Sequence, residues 1–227
     1  MEEVDAKESA VALSKSSGGL EVEGLCVSLP DGTELLKDCS FSLAPGDALL
    51  VTGASGAGKS TLLRALAGLW PFAHGRAAFP ADEKRLFLSQ RPYLPLGTLA
   101  RAVAYPLTAP GPREEMERAL RLVGMEDFLA RLDEVAEWSH ILSLGEQQRI
   151  AFARVLLVRP AWAFLDEATS ALDEAREKEL YEMLARELPE MGVVSVGHRS
   201  TLRGQHGREL HLSGAGGFTT HVLAAST

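Results

Sequence analysis

Gly53, Ala54, Ser55, Gly56, Ala57, Gly58, Lys59, Ser60 and Thr61 follow one another in a pattern suited to holding a polyphosphate. Glycines let the backbone bend until several N–H groups point at phosphate oxygens, and a following helix N-terminus adds partial positive charge. Lys59 then reaches the β and γ phosphates, and the Ser60 hydroxyl is placed to ligate Mg²⁺. Such a loop needs an acid at the end of another buried strand to hold the metal's hydration shell, and Asp166 closes the apolar run of residues 162–165. Glu167 comes next, placed to polarise a water for attack on a γ-phosphate. Without the loop, Asp166 and Glu167 would read as the acidic start of a helix. Ser143 and Glu146 form an S-x-x-E capping box at another helix start. With Gly145 between them, that helix N-terminus presents N–H groups and a hydroxyl to an anion, such as a γ-phosphate held by a second copy of the chain.

The flanking elements must hold these groups in place. Residues 48–52 are continuously apolar and read as a buried strand, and residues 62–70 read as a helix, so the glycine loop joins strand to helix. Residues 20–29 and 39–43 read as strands joined through a turn at Pro30, Asp31 and Gly32, with further strands at 75–79 and 85–88. The stretch 91–141 changes character. Met116, Ala119, Leu120 and Val123 recur at helical spacing behind Pro112 at a favourable first position, which predicts an inserted helical subdomain.

A helix over 144–157 ends before Pro160, and an amphipathic helix over 174–188 buries Leu180, Met183, Leu184 and Leu188. Its Glu174/Lys178 and Glu182/Arg186 pairs have the spacing of solvated i,i+4 pairs. Residues 193–196 form a short buried strand, and two strand-like segments close the chain. Strands alternating with helices predict an α/β fold: a P-loop NTPase core on a parallel sheet, with a small antiparallel β subdomain and the inserted helices. Residues 1–20 lack an apolar period and read as a flexible linker, leaving 21–227 as one nucleotide-binding domain.

Composition narrows the classes. A hydrophobic share of 46% with 24% charged residues suits a globular domain. A formal charge of −8 disfavours a broad nucleic-acid surface, which needs a basic stripe. Cys26 and Cys39 read as two buried free thiols. No run reaches the roughly 18 apolar residues of a membrane span. The acidic N-terminus is unlike a signal or transit peptide.

Taken together these motifs resemble the ATP-binding cassette (ABC) ATPases, over essentially all of residues 21–227. Residues 53–61 match the family's Walker A and 163–166 its Walker B, with Glu167 at the catalytic glutamate. Gln90 falls at the Q-loop, 142–146 at the signature, 170–173 at the D-loop and His198 at the switch histidine. Residues 87–99, Tyr105 with Pro106, and 138–146 are similar to subfamily D ABC transporters, the fatty-acyl and cobalamin type, and their bacterial permease-fused relatives. The usual signature is LSGGQ; here Leu144 replaces a glycine and Glu146 the glutamine, as in subfamily D. The adenine-stacking aromatic expected before the turn is absent, because Leu29 stands there, and apolar contact alone predicts weak selectivity for ATP over GTP.

The resemblance implies ATP and Mg²⁺ as ligands. Residues 53–61, Gln90, Ser143, Gly145 and Glu146 would contact nucleotide, Ser60, Gln90 and Asp166 the metal, while Lys59, Glu167 and His198 would be catalytic. It implies a head-to-tail dimer closed around ATP and a transmembrane partner, reached through the subdomain near 90–105, at the cytoplasmic face of a membrane. Subfamily D cassettes follow a membrane domain in the same polypeptide, so the chain reads either as such a domain behind its linker or as a separate subunit. Two other readings are a soluble ABC ATPase acting on DNA or ribosomes and a nucleotide switch without turnover. The absence of heptads between residues 61 and 142 weighs against the first, and the intact Lys59, Asp166, Glu167 and His198 against the second.

Overall fold

Residues 49–52, 162–166 and 192–196 are buried at every position, as strands of a sheet covered on both faces are. The structure, a computed structural model, describes residues 11–16, 18–80 and 84–223. The chain opens with β1 (Ala12–Ser16), β2 (Leu20–Ser28), β3 (Glu34–Leu43), β4 (Ala48–Gly53) and α1 (Lys59–Leu66). β5 (Ala73–Pro80) and β6 (Arg85–Leu88) follow. Among the described residues β1, β5, β2 and β3 form one sheet in that order, with β2 antiparallel to both neighbours and β1 parallel to β5.

β1 corrects part of the expectation for residues 1–20. Leu13 pairs with Ala77 and Lys15 with Phe79, while Val11 is buried beside the strand. The edge of β5 offers unpaired N–H and C=O groups, and a five-residue segment satisfies them without an apolar period of its own. Residues 1–10 lie outside the described residues.

The middle of the chain holds β7 (Gly97–Thr98), α2 (Leu99–Ala104), α3 (Arg113–Leu122), a 3₁₀ turn at Glu126–Arg131, β8 (Val135–Ala136) and α4 (Trp138–Ile141). Pro112 is the N-cap of α3, one position earlier than expected. Then come α5 (Leu144–Val158), β9 (Trp162–Asp166), α6 (Glu174–Glu187), β10 (Gly192–Val196), α7 (Ser200–Arg203), β11 (Arg208–Gly214) and β12 (Gly217–Val222). The central sheet runs β12, β11, β4, β10, β9, β6, parallel throughout except for β11 against β12.

Alternation along these strands divides two cores. Leu49, Val51, Phe164 and Val194 pack with α1 and the small sheet. Leu50, Ala163, Leu165 and Val193 pack with α5, α6 and the helices of 99–142, through Leu99, Met116, Leu120 and Trp138. α5 is thereby enclosed, and even its Arg154 is buried. The Arg154 guanidinium donates to the carbonyls of Ala102, at 2.7 Å, and Tyr93, at 2.8 Å, and lies over the Tyr105 ring. Burial pulls its pKa down to about 10. One side chain of α5 therefore fastens residues 93–105 to the core.

Two smaller expectations change. On α6, Lys178 pairs with Glu182 and Arg186 with Glu187 instead of the expected partners; all but the half-buried Glu187 are exposed, where such pairs contribute little. Both cysteines are free, as expected, but only Cys39 is fully buried, its thiol pushed up to about 12 chiefly by desolvation. Cys26 is half-buried and its sulfur accepts from the Asp38 N–H.

Candidate functional site

β4 delivers Gly53 to the rim of the sheet, and the chain turns back into α1 through Gly58. Gly58 has φ 97°, and a Cβ there would lie 2.9 Å from Leu35 Cβ, so both its conformation and the close approach of β3 require glycine. α5 and α6 are capped by the side chains of Ser143 and Asp173, whereas Gly58 offers α1 no capping side chain. The N-terminus of α1 thus keeps its positive end open to an anion. The Lys59 ammonium donates to the carbonyls of Gly53, at 3.0 Å, and Ala54, at 2.9 Å, and the loop closes around it.

β9 ends two strands away from β4, with β10 between them. There the buried Asp166 carboxylate accepts a 2.6 Å hydrogen bond from the Ser60 hydroxyl. Mg²⁺ prefers a few protein oxygens completed by water and phosphate. This hydroxyl and carboxylate, converging from separate elements, fit such an ion. Glu167, next along the chain, holds φ 50°, an uncommon conformation for a residue with a side chain. Its N–H donates to the Val196 carbonyl at 3.2 Å.

A cavity of about 350 Å³ opens over the loop, lined by Ser55, Gly56, Gly58, Lys59, Ser60 and Thr61 together with Glu167. Leu29 and Leu35 form its apolar wall, and Leu35 was not among the expected site residues. The structure therefore gathers the loop, Asp166 and Glu167 in one place. His198 is exposed and lines a separate small recess that shares Glu167 with the first. Gln90, Ser143, Gly145 and Glu146 do not line the loop cavity. Ser143 and Glu146 form the expected capping box: the Ser143 N–H donates to the Glu146 carboxylate at 2.8 Å, and the Glu146 N–H to the Ser143 hydroxyl at 3.3 Å.

Gln148 and Arg199 escaped the sequence reading. Gln148 is fully buried, and its amide donates to the Gln90 carbonyl at 2.9 Å and the Ser170 hydroxyl at 3.1 Å while accepting from the Ala171 N–H at 3.0 Å. The available signal was its place four residues before Phe152 and seven before Val155, on the apolar side of α5. Arg199 donates to the carbonyls of Leu172, at 2.6 Å, and Ser170, at 3.1 Å. These two residues together brace 170–172.

A strand, a glycine loop clasping its own lysine, an open helix N-terminus and a remote carboxylate meeting the loop serine define a P-loop nucleotide-binding protein. Residues 36–170 match the ABC transporter family model, and the chain belongs to that family as an ABC transporter ATP-binding domain. It is 45% identical over 195 residues to an ABC transporter ATP-binding protein of Haemophilus influenzae, covering 86% of this chain and 33% of that protein. It is 40% identical over 210 residues to the lysosomal cobalamin transporter of Homo sapiens, covering 86% of this chain and 34% of that one. Its fold matches a bacterial Atm1-family ABC exporter solved with ATP bound, at a TM-score of 0.78 and 27% identity, over 91% of this chain and 39% of the exporter. The chain spans about a third of the length of these curated relatives. No helix among the described residues is long and apolar enough to cross a membrane.

Proposed function

We propose that this domain binds ATP with Mg²⁺, closes head to tail on a second copy, and hydrolyses the nucleotide to power a transmembrane transport domain at the cytoplasmic face of a membrane. The observation that carries the reading is the 2.6 Å bond between Ser60 and Asp166, with Glu167 and Lys59 lining the adjoining cavity. Residues 53–61 cradle the phosphates through backbone N–H groups, and Lys59 exchanges its loop carbonyls for β and γ phosphate oxygens. Ser60 and Asp166, with Gln90 as a further candidate ligand, would hold Mg²⁺, which would supply positive charge against the phosphates. Glu167 orients a water and takes its proton as the water oxygen bonds to the γ phosphorus and the bridging P–O bond breaks. His198 holds the γ-phosphate from the facing recess.

Ser143, Gly145 and Glu146 complete the site of the other copy. They are exposed or half-buried at a capped helix start, clear of the chain's own loop cavity, which supports a role across an interface. ATP binding then favours the closed pair through contacts made only there, and loss of the γ-phosphate releases it. Glu167→Gln should bind ATP, lose turnover by about 100-fold or more, and accumulate as a dimer. Light scattering with and without Mg-ATP reads this directly, and a variant that remains monomeric at saturating ATP would refute the dimer.

A further inference from the structure

Glu177 lies on the first turns of α6, outside the loop cavity, and only 2% of it is exposed. One carboxylate oxygen accepts from the Thr169 hydroxyl at 2.5 Å and the other from the Thr201 hydroxyl at 2.6 Å. The Arg199 guanidinium stands 3.7 Å away while it donates to the Ser170 and Leu172 carbonyls. Thr169 is two residues past Glu167, and Thr201 is three past His198. A single buried group therefore ties the turn carrying one candidate catalytic side chain to the segment carrying the other. Packing alone does not call for charges here, since a buried ion pair replaced as a whole by apolar side chains of similar volume commonly leaves stability equal or better. What the carboxylate adds is direction: two hydroxyls and a guanidinium are held in one relative arrangement.

We infer that Glu177 is a positioning residue for the hydrolytic site, fixing Glu167 and His198 relative to each other through Thr169, Thr201 and Arg199. The inference rests on the proposed hydrolysis. Lys59 and the phosphate loop hold nucleotide without this clasp, so affinity and turnover should separate.

In the full chain, Glu177→Gln keeps the volume but replaces one acceptor oxygen with an amide donor and removes the charge facing Arg199. Nucleotide Kd stays within about twofold and the variant remains folded at the assay temperature, with a lowered melting temperature because one partner of a buried pair is lost, while kcat falls about tenfold, the scale expected for slight misplacement of reacting groups. Thr201→Val, which removes one donor, lowers kcat about threefold, and the double variant matches Glu177→Gln alone because both act through one clasp. Unchanged kcat in Glu177→Gln, a loss appearing in Kd instead, or a double variant showing the product of the two losses would overturn the inference. Absence of turnover in the unaltered chain with its partner copy would remove the hydrolysis reading itself, and this inference with it.

Discussion

The phosphate loop and the start of α5 are both helix N-termini suited to a phosphate, yet they are built in opposite ways. At α1 the side-chain cap is missing and the loop is folded on its own lysine, with Ser60 already bonded to Asp166. At α5 the cap is complete, Ser143 and Glu146 satisfying each other at the surface. The first end has Lys59, Ser60 and Asp166 converging within one chain; the second has a capping box that engages Ser143 and Glu146 with each other, and no convergent groups of its own chain in the loop cavity. Preorganisation at α1 suits a site that must bind nucleotide alone. A capped, exposed terminus whose first N–H groups still face outward suits a surface that waits for its ligand to arrive on another molecule.

Lys59→Ala is the hardest test of that contrast. It removes the charge around which the loop is folded, and turnover should fall by about 100-fold or more. Binding of a fluorescent ATP analogue to the dilute monomer should weaken in parallel. A monomer that binds as tightly without Lys59 would mean that the loop is not the self-sufficient half.

Gly145→Ala probes the other end. A Cβ at Gly145 would lie 3.2 Å from Leu172 and 3.3 Å from the Ala171 carbonyl, so residues 171–172 must yield by a few tenths of an ångström. Alanine also favours helix over glycine by about 1 kcal/mol, so thermal stability should hold or rise. The expected result is about tenfold slower turnover with monomer binding unchanged. Binding lost as severely as in Lys59→Ala would erase the distinction between the two termini.

The loop half was legible because its chemistry is local: nine consecutive residues and a strand ending in Asp166, with Glu167 just after it, carry most of it. The capping box was legible for the same reason. The braces were not. Gln148, Arg154, Arg199 and Glu177 act on groups 8 to 61 residues away, and each looks in sequence like an ordinary polar position on a helix or beside one. β1 was missed because its partner is β5, far along the chain, and its own residues carry no alternation. Periodicity reports what a segment buries, not which distant carbonyl or strand edge it satisfies.

The smallest effect concerns how the preformed half is held. Tyr181 donates to the Ser195 hydroxyl at 3.1 Å, which reaches His206 Nε2 at 2.9 Å, while His206 Nδ1 lies 2.6 Å from the Leu202 carbonyl. A carbonyl only accepts, so Nδ1 carries a proton, and in the neutral ring Nε2 is left to accept from the Ser195 hydroxyl. This chain of bonds pins the segment after His198 onto β10 and α6. Desolvation pulls the His206 pKa from 6.5 to about 4. The unfolded chain therefore takes up this proton near pH 6.5 and the folded chain only near pH 4, so stability is full above 6.5 and falls as pH drops through that window. Between pH 6.5 and 5.5 the linkage amounts to roughly 1 kcal/mol. Urea midpoints at the two pH values should show that loss in the unaltered chain, and His206→Gln should lessen it by the same amount while lowering stability at both. Ser143→Ala, at the exposed terminus, should instead shift stability by about 1 kcal/mol equally at both pH values. An unaltered pH dependence in His206→Gln would show that the buried ring is not what makes the preformed half sensitive to acid.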